Sequence, residues 1–185
     1  MSRLAFLVLL ILTPAAAVAG DRESWAALAS GGHIALVRHG NAPPGYGDPP
    51  GFRLDDCSTQ RNMDELGRTQ ARAMGEAFRQ HRIAVDKVQS SPVCRCLETA
   101  RLMALGAVDS VVAVAASKRS PQHLDDLKRI VSSWQGPGTL VLVTHAFTIQ
   151  TLVGFLPEQA SIAVVKPKPG AAMGIEHLGI IATPK

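Results

Sequence analysis

The chain has 185 residues, a formal net charge of +4 at pH 7, 46% hydrophobic residues and only 4% aromatic ones. The charge is mild and the basic residues are scattered, which suits a small anionic ligand and excludes a nucleic-acid surface; so few aromatics also argue against base stacking. No repeat, low-complexity segment or linker divides the chain, and its length supports one domain with a real core.

Residues 1–19 read as a cleavable signal peptide. Arg3 supplies a positive start, Leu4 to Leu12 is an unbroken apolar run, and Ala17-Val18-Ala19 closes it with small residues. The run is too short to span a bilayer, which takes about 20 residues. No cysteine near the cleavage point suggests a lipid anchor. Residues 20–185 are then the single folded domain, periplasmic or secreted, with no membrane segment after cleavage.

Arg22 to Ser30 is a short helix with Trp25, Leu28 and Ala29 on its apolar side, broken by Gly31-Gly32. His33 to Arg38 is the first strand. Its apolar residues are continuous rather than alternating, which predicts a central strand buried on both faces. It runs directly into His39 and Gly40. Asn41 to Phe52, with Pro43-Pro44, Pro49-Pro50 and three glycines, cannot be helix or central strand. It is a loop leaving the carboxyl end of that strand, a place that commonly lines a site. Tyr46, the one tyrosine, is placed either to contact substrate or to pack this loop, and is read as packing it.

Asp64 is a good N-cap for a helix over Glu65 to His81, with Leu66, Ala73, Met74, Ala77 and Phe78 apolar. A short strand follows around Val85 and Val88. Ser90 or Ser91 then caps a helix with Pro92 in its first turn, reaching about Leu105. Arg95 falls in that first turn, where its charge adds to the positive end of the helix dipole. Val108 to Ala115 reads as a third strand, and Gln122 to Trp134 as a helix opened by Pro121. Thr139 to Thr144 is another continuous apolar strand ending on a histidine, His145, ahead of a helix from Ala146 to Phe155. Val164-Val165 and Gly174 to Ile181 are final strands around the turn Lys166-Pro167-Lys168-Pro169-Gly170. The alternation predicts an α/β fold, a three-layer α/β/α sandwich with a mostly parallel central sheet.

Cys57, Cys94 and Cys96 are the three cysteines. In an exported protein a bridge is expected from Cys57 to one of the other two, with one thiol left over. No CxxC pair or nearby histidine gives zinc spacing, so no metal site is expected.

In a doubly wound sheet the carboxyl ends of parallel strands lie along one edge. Arg38, His39, Arg95 and His145 then converge, although far apart in sequence. Arginine forks match phosphate oxygens, and nearby positive charge keeps an imidazole neutral and nucleophilic. The same charge stabilises a transferring phosphoryl group without a metal or other cofactor.

On these residues the chain resembles the histidine phosphatase superfamily, which includes phosphoglycerate mutases and acid phosphatases. Leu36-Val37-Arg38-His39-Gly40 is similar to its RHG motif, and Ser90-Ser91-Pro92 with Arg95 and Thr99-Ala100 to its SSPxxRxxxTA segment. Val143-Thr144-His145 resembles its third segment. Leu66-Gly67-Arg68-Thr69-Gln70-Ala71 resembles the LTxxGxxQA stretch between the first two. The resemblance implies a phosphoglycerate mutase-like fold, with His39 as a nucleophile that forms a phosphohistidine. Arg38, Arg95 and His145 would bind the phosphoryl group. Gln60, Arg61 and Asn62 lie where relatives line the pocket, with Arg61 the weaker phosphate-binding candidate.

One departure stands out. Many relatives carry a Glu or Asp after the second strand-helix unit as general acid, but Val111 to Ser117 holds no carboxylate. Asp109, Asp125 and Asp126 align with no motif. The general acid is therefore unassigned, and leaving groups that depart without a proton, as in acyl phosphates, are favoured. The expected activity is an exported, metal-independent phosphatase for a small phosphorylated substrate, a hydrolase rather than a mutase. The alternative is a catalytically weak phospho-ligand-binding protein of the same fold.

Overall fold

The computed structural model describes residues 20–43, 45–115 and 120–182. The expected signal peptide lies outside the described residues. No described helix is long and apolar enough to cross a membrane.

The elements are α1 (Asp21–Ala29), β1 (Ile34–Arg38), α2 (Glu65–Gln80), β2 (Val85–Ser90), α3 (Cys94–Met103) and β3 (Val108–Ser110). They continue with α4 (Pro121–Ser132), β4 (Thr139–Thr144), α5 (Ala146–Val153), β5 (Ile162–Pro167) and β6 (Ile175–Ile181). Six strands form one sheet in the order β3-β2-β4-β1-β5-β6. The β3-β2, β2-β4 and β4-β1 pairs are parallel, whereas β5 and β6 add antiparallel at one side.

The apolar runs of β1 and β4 are continuous because both faces are covered. Ala35, Val37, Val141 and Val143 face a core built with Trp25 and Leu28 of α1, Met74 and Phe78 of α2, and Cys96 and Met103 of α3. Ile34, Leu36, Leu140 and Leu142 face the opposite core, with Leu127 and Val131 of α4 and Ile149 of α5. These are the two helical layers of the expected sandwich.

Several boundaries differ from the sequence reading. Leu66 is 56% exposed, because the face of α2 that buries is Gly67, Ala71, Met74, Gly75 and Phe78, one residue round from it. Neither Ser90 nor Ser91 is the N-cap of α3. Pro92 and Val93 stay outside the helix, with Val93 extended at ψ 135° in the cap position. The expected third strand is shorter: after Ser110 the chain turns into a 3-10 segment, Val112–Ala115, which buries Ala113 and Val114. Its Val114 carbonyl accepts a hydrogen bond from the Thr144 hydroxyl.

Candidate active site

Parallel pairing places the site. Arg38 of β1 is in register with Thr144 of β4, and the His39 amide donates to the Thr144 carbonyl at 3.1 Å. His39 and His145 therefore leave adjacent strands side by side, their ring centroids 5.6 Å apart and their planes at 68°. Ser90 of β2 pairs with Val143, so Ser91 reaches the same edge, and α3 then delivers Arg95.

The segment after His39 is held by residues of the other motifs. A Cβ on Gly40 would fall 2.4 Å from the Gly67 carbonyl oxygen, and one on Gly67 would fall 2.2 Å from that of Asn41. Both glycines are required by this close approach of chain to chain. Gln70 Oε1 accepts from the Asn41 amide at 2.8 Å, and Thr99 Oγ1 from the Gly40 amide at 3.2 Å. Gly67, Gln70 and Thr99 are thus scaffolding for the turn that follows His39.

The hydrogen bonds fix both imidazoles. His39 Nδ1 lies 2.8 Å from the Gly40 carbonyl oxygen, so it carries the proton and donates. That leaves Nε2 as the lone-pair nitrogen, and it accepts from Arg95 Nε at 3.2 Å. His145 has the opposite tautomer. Its Nδ1 accepts from Arg95 Nη2 at 3.3 Å, and its Nε2 donates to Ser91 Oγ at 2.8 Å. Burial, reinforced by His145 and Arg95, keeps the His39 imidazole well below the ordinary histidine value. Burial and then Arg95 take His145 down to about 3. Both rings are neutral because a charged imidazole would sit dehydrated among guanidinium groups.

The cavity is about 390 Å³, within the range of small-ligand sites. Arg38, His39, Arg61, Arg95 and His145 all line it. Arg38 donates Nη1 to the Pro157 carbonyl at 2.6 Å, while its buried Nε has no acceptor among the described residues. Of the other two residues expected at the wall, neither Gln60 nor Asn62 lines this cavity. Gln60 Oε1 instead accepts from the Cys94 amide at 2.9 Å, and Asn62 Nδ2 donates to the Cys57 carbonyl at 2.6 Å.

The proline-rich loop supplies lining residues that the sequence reading did not place there. Asp48, from the proline-rich loop, accepts from Arg95 Nη1 at 2.6 Å and from the Arg61 amide at 3.0 Å. It is the one carboxylate among the lining residues. Asp109, Asp125 and Asp126 pair instead with Lys87, Lys128 and Arg129 outside the cavity. Tyr46 does not pack the loop as expected. It is 63% exposed at the cavity mouth, its ring 5.6 Å from that of Phe147 and 6.0 Å from the Arg38 guanidinium carbon. No periodicity marks a residue in a proline-glycine loop; the one signal was the loop's departure from a strand end.

Cys57 and Cys94 form a disulfide, and Cys96 is free and buried. Its thiol lies 3.6 Å from His145 Nε2, and burial pushes it up to about 12, so it stays protonated at neutral pH.

Residues 34–119 match the histidine phosphatase superfamily (branch 1). No curated protein sequence matches the chain. Among solved structures, the product of open reading frame Rv3214 from Mycobacterium tuberculosis superposes with a TM-score of 0.60 at 16% identity, covering 83% of this chain and 98% of that one. The protein histidine phosphatase SixA complexed with tungstate gives 0.59 at 13% identity, covering 82% and 97%. A mycobacterial glucosyl-3-phosphoglycerate phosphatase, Rv2419c, complexed with VO3, gives 0.54 at 19%, covering 78% and 96%. These likenesses show a shared fold.

Proposed function

We propose, from the match of residues 34–119 to the histidine phosphatase superfamily (branch 1), that the protein is a phosphatase working through a phosphohistidine on His39. The observation that carries this is one atom's surroundings. His39 Nε2 presents a lone pair into a cavity walled by Arg38, Arg61, Arg95 and His145. Two solved structures of the same fold are described with the oxyanions tungstate and VO3.

In the first step His39 Nε2 attacks phosphorus as the bond from phosphorus to the leaving oxygen breaks, and the electron pair leaves with that oxygen. Arg95 Nε, which caps Nε2 in the resting site, passes to a phosphoryl oxygen, where Arg38 and Arg61 add charge. Proximity and this fixed charge carry the reaction, and the arginines provide the neutralisation that a metal ion gives elsewhere. In the second step water attacks phosphorus and the P–N bond breaks. The electron pair returns to Nε2, and the water proton leaves to solvent.

We place the protein outside the cytoplasm. The Cys57–Cys94 disulfide supports this, as such bonds persist in oxidising compartments. The substrate is a small phosphorylated molecule, and water, rather than a second hydroxyl of a substrate, is the acceptor.

Turnover of p-nitrophenyl phosphate tests the reading, since its leaving group needs no acid. His39→Ala is expected to lower kcat/KM by more than about a thousandfold. Brief incubation with labelled substrate is expected to give an acid-labile, base-stable phosphoprotein that this variant does not form. Absence of turnover, with His39→Ala binding phosphate as well as wild type, would leave the alternative of a phospho-ligand-binding protein.

A further inference from the structure

The mouth of the pocket has a different chemistry from its floor. The floor is arginine and neutral histidine. The walls above it are Val93 and Ala115, and the rim carries Tyr46, Phe52 and Phe147. These three are 63%, 40% and 51% exposed, and they are all of the exposed aromatic side chains among the described residues. The whole chain has two tryptophans, one tyrosine and five phenylalanines. Gathering three at one rim therefore goes beyond what composition gives. Single exposed apolar residues need no explanation, but several gathered around one polar site mark a binding surface. Tyr46 and Phe147 touch, with ring centroids 5.6 Å apart and planes at 47°.

The second observation is independent. Asp48, the one lining carboxylate, is already held by Arg95 and the Arg61 amide. Among the described lining residues no carboxyl group is thus left free to protonate a leaving oxygen. We propose, building on the phosphatase reading, that the substrate is a phosphate ester of a phenol-type hydroxyl, its aromatic ring resting on Phe147 and Tyr46 with Phe52 alongside. The phenolate oxygen takes the electron pair of the broken P–O bond and departs as the anion, then gains its proton from solvent. An alkoxide would need that proton during bond breaking. Ring contacts of this kind are offset or tilted and tolerant of ring type, so the platform selects for an aromatic group rather than one compound.

Two phosphonates isolate the ring from the chemistry of departure. Phenylphosphonate and methylphosphonate carry the same head group on a P–C bond that is not cleaved. Calorimetry on the mature protein is expected to show phenylphosphonate binding at least tenfold tighter. Phe147→Ala and Phe52→Ala, both at solvent-exposed positions, are each expected to cut that preference at least threefold. A wild-type preference below threefold, or one unmoved by either substitution, overturns the proposal. Turnover of p-nitrophenyl phosphate separates the two readings. Turnover lost in His39→Ala but without a ring preference overturns the aromatic assignment alone. A ring preference without turnover overturns the phosphatase reading, and the leaving-group role with it.

Discussion

Asp48→Asn changes one charge in the pocket and almost no volume. In the native site the carboxylate lies 2.6 Å from Arg95 Nη1, and the two side chains are 7% and 5% exposed respectively. Removing one partner of a buried pair costs ~3–5 kcal/mol. Asparagine still offers Arg95 an oxygen, so the loss is nearer the ~1.5–3 kcal/mol of a charged hydrogen bond. An arriving phosphoryl group held by Arg95 meets the opposite effect. At a separation of about 5 Å and an effective dielectric of about 20, Asp48 repels it by ~3 kcal/mol per pair of unit charges. Part of that relief is spent on looser orientation of Arg95. A net gain of ~1–2 kcal/mol, or about five- to thirtyfold tighter binding, is expected for inorganic phosphate. The assay is competitive inhibition by phosphate at fixed ionic strength, paired with thermal unfolding. Without phosphate the variant melts below wild type, and phosphate raises its Tm more than it raises that of wild type, following the tighter binding. Phosphate binding that is unchanged or weaker would mean that Asp48 orients Arg95 rather than competing for it, and the electrostatic reasoning would fail.

Two further predictions follow from the same surroundings. His39 and His145 are neutral when folded and gain protons on unfolding below their ordinary value of 6.5. The unfolded chain binds more protons there, so this source leaves stability level above pH 6.5. Stability then falls with falling pH, by up to ~1.4 kcal/mol per pH unit for each histidine. For His145 the decline runs on to about pH 3. Denaturant unfolding in phosphate-free buffer measures it. His39→Gln is expected to flatten the slope, and an identical slope would contradict a neutral buried His39. The disulfide joins residues 37 apart in sequence, so Cys57→Ser is expected to cost ~4 kcal/mol by the loop-entropy relation. It should also lower kcat/KM, because Cys94 directly precedes Arg95. A Tm unchanged in the variant would show that Gln60 and Asp48 alone anchor the loop.

The sheet was readable because β1 and β4 are apolar on both faces, and a strand of that kind can be central only. That both run into a histidine places His39 and His145 together, since the carboxyl ends of parallel strands share an edge. Arg95 was readable from its position after a strand, in the first turn of a helix. Asp48 was not: its partner is 47 residues away, and the loop between Asn41 and Phe52 has no period that says which side chain turns inward. Nor could the helix pattern choose between Cys94 and Cys96. Two residues rotate a helix by about 200°, which puts Cys94 towards the Cys57 loop and Cys96 into the core at 0% exposure. Leu66 misled because an apolar residue beside the true stripe looks the same in sequence as one on it.

The start of α3 is where the loop and the chemistry meet. Cys94 is bonded to Cys57, its amide donates to Gln60, and the next residue, Arg95, pairs with Asp48 and reaches the Arg61 carbonyl at 3.3 Å. Four contacts thus tie one turn of helix to the segment between Asp48 and Arg61. Arg95 in turn places a nitrogen on each histidine. A guanidinium fixed through all three of its nitrogens loses little freedom when a phosphoryl group arrives, which is the condition for charge to act on a transition state without reorganising first. The cost is a pocket with three arginines and one carboxylate among its described lining residues. Two neutral histidines make that imbalance tolerable, and an oxyanion relieves it. The resting site is therefore built for an anion on its floor, while the Tyr46–Phe147 rim above it decides what that anion is attached to.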